Sequence, residues 1–269
     1  MNSELLSLLP LLLGAGLLAG LLAGLLGIGG GLIIVPVLFE ALLAQGVPKA
    51  SAMLLATGTS LAVIVPTAIS SSLSHRRRGN VDVQILLHWM PGMLVAAVLG
   101  AWLAPRIPVA PLILLFAVFA LGVAAHKLLG GAASRERELP ARAVQTALAM
   151  VIGFVCVLLG VGAGTLGVAV LTLFSVPVHR AVGTAAVLGL VIAGPGVLVA
   201  LSHAVPAGAP PYTVGHVSVP AFVCIAPLAI FAAPLGVRLG AKLAPRRLQQ
   251  LFAGFLLLVG LRMLSRLFF

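Results

Sequence analysis

Four glycines in five residues interrupt an apolar stretch at Gly27-Ile28-Gly29-Gly30-Gly31, and a second interruption, Gly160-Val161-Gly162-Ala163-Gly164, falls at the matching place in the second half of the chain. Each glycine costs a helix about 1 kcal/mol relative to alanine, so both runs predict that one helix stops and another starts. The first backbone N–H groups of a new helix have no intrahelical partner and lie at the positive end of its dipole. Chemically, that is a device for holding an anion without a buried cation.

The candidate binding residues are therefore Gly27, Gly29, Gly30 and Gly31 in the first copy, with Gly160, Gly162, Ala163, Gly164 and Thr165 in the second. The Thr165 hydroxyl adds a donor beside the second break. Thr57, Thr59 and Ser60 follow the first break at one segment's remove, and Thr184 does so in the second copy. Thr59 and Thr184 are the matched pair, each directly after a glycine, and all four hydroxyls would serve an uncharged, donor-rich cavity.

Other chemistries find no support. There is no His-Glu-x-x-His zinc motif, no P-loop and no nucleophile placed beside a base, and Gly27–Gly31 is no dinucleotide fingerprint because no strand precedes it. An enzyme, a metal and an organic cofactor are accordingly not expected. The five acidic residues, Glu4, Glu40, Asp82, Glu136 and Glu138, avoid the centres of the apolar segments, which argues against a carboxylate site for protons or sodium. His88, beside Trp89, reads as a structural histidine. Cys156 and Cys224 lack the spacing of a metal or redox pair.

The elements that must position these groups are membrane helices. The chain is 61% hydrophobic and 8% charged, with a mean hydropathy of +1.24, and apolar stretches long enough to span a hydrocarbon core of about 30 Å follow one another almost without pause. Ten segments are expected, at about 4–26, 30–45, 49–73, 81–104 and 108–129, then 142–160, 163–176, 179–203, 216–243 and 247–268. Segments 30–45 and 163–176 are short, and either full spans or the return legs of hairpins would fit them. Glu4 stands where a signal peptide would carry a basic residue, so the first segment is read as a retained helix.

The halves echo one another in order. Gly58-Thr59 answers Gly183-Thr184, Leu73-Ser74-His75 answers Leu201-Ser202-His203, and Leu103-Ala104-Pro105-Arg106 answers Leu243-Ala244-Pro245-Arg246. The reading is a first transmembrane repeat over 1–129, a cytoplasmic linker over 130–141 and a second repeat over 142–269. Five segments per repeat invert the second half relative to the first, and the charges test that. With the N-terminus outside, Arg76, Arg77, Arg78, Lys127, Arg135, Arg137, Arg142, Arg180, Arg238, Lys242, Arg246 and Arg247 fall on the cytoplasmic side, and Lys49, Arg106, Arg262 and Arg266 outside. Twelve of the sixteen basic residues then obey the positive-inside rule. The net charge of +11 follows from topology and calls for no nucleic acid.

These features resemble the sulfite exporter TauE/SafE family of membrane proteins. The resemblance rests on Gly20 to Pro36, GLLAGLLGIGGGLIIVP, and on Gly153 to Thr184 with its second glycine break, and it spans nearly the whole chain. The second copy departs at Ala163, where glycine is usual, and has Ala169 where the first has Pro36. The resemblance implies an all-α integral membrane protein of two inverted repeats with glycine-broken helices at their interface. It also implies transport of a small anion, sulfite or an organosulfonate such as sulfoacetate, across a bacterial cytoplasmic membrane. An anion channel or a non-transporting scaffold subunit would share the same residues. Gly16, Gly20 and Gly24 form a small-residue face that could serve the core or a homodimer.

Overall fold

A computed structural model describes residues 3–26, 30–128, 139–240 and 245–268. Every one of the ten apolar segments is a helix: α1 Ser3–Leu26, α2 Gly31–Ala44, α3 Lys49–Arg76, α4 Val83–Leu103, α5 Val109–Leu128, α6 Arg142–Leu158, α7 Gly164–Leu173, α8 Val178–Ser202, α9 Val219–Gly240 and α10 Pro245–Ser265. A 3-10 turn at Ala104–Arg106 ends α4. Among the described residues the architecture departs from all-α only in a two-stranded hairpin, β1 Thr213–Val214 with β2 Val217–Ser218, just ahead of α9. Gly27, Gly29 and most of the linker lie outside the described residues.

Length separates two kinds of helix. Helices α3, α4, α5, α8 and α9 are long and apolar enough to cross a bilayer. Helix α2 has 14 residues and α7 has 10, so at 1.5 Å per residue they reach about 21 and 15 Å, short of a core of about 30 Å. Neither short segment is a full span.

Packing follows the glycines. The small face of α1 lies against α9, where a methyl added at Gly16 would come within 2.6 Å of the Ile225 carbonyl oxygen. Gly20 and Gly24 press in the same way on Ala229 and Ala233, and Gly236 of α9 on Leu21. Helices α4 and α6 make the equivalent seam, with Gly153 against Met93 and Gly100 against Val157. Close backbone approach of this kind is how helices associate in lipid, where no hydrophobic force drives them together. The Gly16-Gly20-Gly24 face is thus consumed inside the chain, and a homodimer through it is excluded.

At the centre α3 packs on α8, flanked by α4 on α8 and α9 on α3, while α5 pairs with α10 at the side. Exchanging α1–α5 for α6–α10 maps each of these pairings onto another in the set: α1 with α9 becomes α6 with α4, and α3 with α8 maps onto itself. The two halves therefore interlock rather than sit side by side.

The molecule has two chemically distinct ends. At one, Arg78 Nη1 donates to the Val237 carbonyl at 3.2 Å and Arg180 lies 3.9 Å from Asp82. Asp82 also caps α4, accepting from the backbone N–H groups of Gln84 and Ile85. At the other end, Glu40 of α2 receives two hydrogen bonds each from Arg262 and Arg266, at 2.7–3.2 Å. Lys49 Nζ donates to the Arg266 carbonyl there. Glu40 thus fastens α2 to the end of α10.

Candidate functional site

The second glycine break is a well-formed helix stop. Gly160, at φ +65, donates to the Val157 carbonyl, and Val161 to that of Cys156, the two bonds of a Schellman cap. Four residues after Gly160, α7 starts at Gly164 with no side chain capping it. On the first-copy side, Gly30 is the N-cap of α2 at φ +74, again without a side-chain cap. Both positive-φ positions suit glycine because an L side chain would clash with its own backbone.

The two breaks touch. A methyl on Gly31 would meet the Gly160 carbonyl oxygen, with Val161 Cα at 2.8 Å and Ser60 Oγ at 3.1 Å. The Ser60 hydroxyl donates to that same carbonyl at 2.7 Å. Gly160 in turn presses on Thr57, whose Cα would lie 2.6 Å from an added methyl. Thr57 spends its own hydroxyl on the Met53 and Leu54 carbonyls of α3. Gly31, Gly160, Thr57 and Ser60 thus form one crossing, in which α3 is wedged against both breaks. Gly162 and Ala163 lie across Gly189 of α8, and Gly30 stands apart, facing Ala19 of α1.

Thr59 and Thr184 do something else. Thr59 Oγ1 accepts from the Ser218 N–H at 2.9 Å, and Thr184 Oγ1 from the Asp82 N–H at 2.8 Å. Beside them, Gly58 abuts the His216 carbonyl and Gly183 the Asn80 carbonyl. Each Gly-Thr pair is a docking point for the loop that starts α9 or α4 in the opposite half. The loops themselves match: Gly79-Asn80-Val81-Asp82 and Gly215-His216-Val217-Ser218, both glycines at positive φ. That Gly-x-Val repeat was legible in the sequence but was missed, because the longer connection before Gly215 puts it out of step with the other echoes.

Beside the crossing, Gly164 of α7 lines a small cavity with Ala23 at the end of α1, Thr67 and Ser71 of α3, and Ala186 and Gly189 of α8. Its free space of about 10 Å³ holds about one water molecule. Thr165, next along α7, is 7% exposed with a hydroxyl that has no partner. An unpaired hydroxyl next to the uncapped start of α7 is a pair of donors able to bond an oxyanion without a buried cation.

A profile of the family described as Sulfite exporter TauE/SafE matches residues 12–263. The chain belongs to that family. Its similarity extends to a probable membrane transporter protein of Haemophilus influenzae, 32% identical over 95% of this chain and 97% of the relative. A probable membrane transporter protein of Methanocaldococcus jannaschii is 28% identical over 97% of each chain. A third, YunE of Bacillus subtilis, is 25% identical over 93% of this chain and 94% of its own. No solved structure matches. Membership in the TauE/SafE family, together with the apolar helices, makes this a multi-pass membrane transporter.

Within that TauE/SafE frame several other polar groups bind elements of the fold together. His88 Nε2 lies 3.4 Å from the Arg142 carbonyl, and buried Trp89 donates to Gln145 Oε1 at 3.3 Å. In the β1–β2 turn, His216 stacks on His203 with ring centroids 5.0 Å apart. Burial, with His203 beside it, pushes the His216 imidazole down to about 4.

Proposed function

We propose that the protein exports a small anion, sulfite or an organosulfonate such as sulfoacetate, by alternating access of two inverted repeats, 1–129 and 142–269, joined by a cytoplasmic linker over 130–141. The observation that carries the reading is the meeting of the two glycine breaks at Gly31, Ser60 and Gly160, beside uncapped helix starts and the unpartnered Thr165 hydroxyl. Half-helix N-termini aimed at one point from broken helices are how transporters hold anionic groups at mid-membrane. The neighbouring cavity is too small for sulfite, so helices must part to admit a substrate. Interlocked halves that exchange onto one another provide two equivalent ways of parting.

The membrane is the bacterial cytoplasmic membrane, with the N-terminus outside. This places Arg76–Arg78, Arg142 and Arg180 at the cytoplasmic end and Lys49, Arg106, Arg262 and Arg266 outside, as positive-inside bias favours. Expelling one negative charge from an inside-negative cell yields about 2.3 kcal/mol per 100 mV, so export needs no coupling ion. That fits the placement of Glu40, whose carboxylate is fully engaged by two arginines. The test is Thr165→Val, which keeps the shape and removes the hydroxyl. Transport in vesicles falls at least tenfold while thermal stability holds or rises. Unchanged flux removes the start of α7 from the substrate path.

A further inference from the structure

Among the described residues, the buried side-chain polar atoms without a hydrogen-bond partner belong to Ser71, Ser72, His75 and Thr165. Three of these four residues lie within five positions of one another on α3, and the fourth begins α7. An unpaired polar group in a membrane interior is costly, so such a concentration asks for a partner that comes and goes. Thr67, Ser71 and His75 recur every four residues and share one face of α3. Ser60, two turns before Thr67, is on that face as well and already touches Gly160. Thr67 and Ser71 line the cavity beside Gly164. His75, 5% exposed, lies next to the Gly24 carbonyl of α1 without meeting hydrogen-bond geometry, with Arg78 and His179 the titratable groups nearest it. The face therefore runs from the Arg76–Arg78 end of α3 to the glycine breaks.

The other half has no such face. Counted from the two docked Gly-Thr pairs, Thr67, Ser71 and His75 fall opposite Ile192, Gly196 and Ala200 on α8, all buried and apolar; His203, which answers His75 in the Leu-Ser-His echo, comes three residues later at the C-cap, where its Nδ1 lies 2.7 Å from the Val199 carbonyl. Gly196 is closed over by Val157 and Leu61, which would stand 2.9 and 3.1 Å from an added methyl. One face is polar, with Ser71 and His75 unpaired while Thr67 donates back to the Val63 carbonyl at 2.7 Å, and the other is packed shut.

We infer that the Thr67–Ser71–His75 face of α3, with Thr165 at its inner end, is the passage by which a small oxyanion moves between the cytoplasmic end and the glycine breaks. This rests on the anion-transport reading given above. A neutral imidazole presents one N–H in either tautomer, so His75 can hand an anion to the Ser71 hydroxyl and thence to Thr165. Arg78 stands at the cytoplasmic entrance beside His75, and Ser71, Thr67 and Thr165 beyond it carry no charge to trap the anion.

The test is cysteine accessibility in full-length protein carrying Cys156→Ala and Cys224→Ala, in oriented vesicles, with a membrane-impermeant maleimide and sulfoacetate as the protecting anion. Ser71→Cys is expected to label from the cytoplasmic face only, at least tenfold more slowly with saturating sulfoacetate, while Ile192→Cys labels from neither face. A folded Ser71→Cys protein that labels from neither face, or only from outside, overturns the passage. Labelling that sulfoacetate leaves unchanged overturns its assignment to an oxyanion. A second arm measures flux: His75→Leu loses at least tenfold and His75→Gln, which keeps a donor, recovers most of it. Equal flux in both contradicts a role for the imidazole donor. Because labelling is read without transport, a wild-type protein that carries no anion defeats the functional reading while the accessibility result still decides the passage.

Discussion

The Ser60 hydroxyl donates to the Gly160 carbonyl at 2.7 Å, so α3, one helix beyond the first glycine break, is bonded to the backbone of the second. Gly160 itself stands at φ +65 with Thr57 against it. Gly160→Ala adds a methyl where neither the dihedral nor the space admits one, and is expected to cost at least about 2 kcal/mol. Gly194→Ala, in α8 with nothing within 4 Å of the added carbon, is neutral or stabilising by up to about 1 kcal/mol. Thermal unfolding in detergent separates the two; equal effects contradict the tight crossing.

The Gly-Thr docking points make a paired prediction. Thr59→Val and Thr184→Val each strand a backbone N–H, of Ser218 and Asp82 respectively, at a cost of about 1–3 kcal/mol. Thr→Ser at either site restores the acceptor and most of the stability. Because the two points are symmetry counterparts, both losses should be of similar size. A silent Thr184→Val would show that the α4 entry is held by other contacts.

Glu40 fastens α2 to α10 through Arg262 and Arg266, and on the export reading it couples no ion. Its side chain is 27% exposed, against 58% for Arg262 and 24% for Arg266, so the cluster is partly solvated and Glu40→Gln costs only about 1 kcal/mol, less in high salt. Ion dependence of transport is unaltered in that variant. A change in proton or sodium dependence would return Glu40 to the mechanism.

Acid acts on the hairpin. His216 is held down to about 4 from an ordinary 6.5, so it binds its proton more weakly folded than unfolded. Its contribution is intact above about pH 6.5 and is lost as the pH falls towards 4, because the unfolded chain then takes up the proton first. Melting temperature against pH should fall across that window, and His216→Gln should flatten the fall. An unchanged profile in the variant would assign the acid sensitivity elsewhere.

The helices were legible because length and apolarity decide them in lipid: all ten segments appear as helices, the second glycine break stops α6 where composition placed it, and of the first break Gly30 and Gly31 open α2. The small-residue face of α1 was legible as packing, yet its partner was not, since Gly16, Gly20 and Gly24 fit a second copy as well as α9. Thr59 and Thr184 were correctly seen as a pair, but the sequence could not say that their oxygens accept from loops more than a hundred residues away. The unpaired Ser71 and His75 were hidden for the converse reason. A serine-rich helix end beside three arginines looks like an ordinary interfacial stop until burial shows that the groups face inward.

Whether the glycine breaks carry an anion across the membrane is decided by anion-evoked current in proteoliposomes. Purified protein is challenged with sulfite, sulfoacetate, sulfate, thiosulfate and acetate, beside Thr165→Val and Ser60→Ala. Anion export through the breaks gives saturable current for sulfite or a sulfonate, reduced at least tenfold by Thr165→Val. Folded wild-type protein that is silent to every anion in the panel, or current that ignores both substitutions, would contradict it.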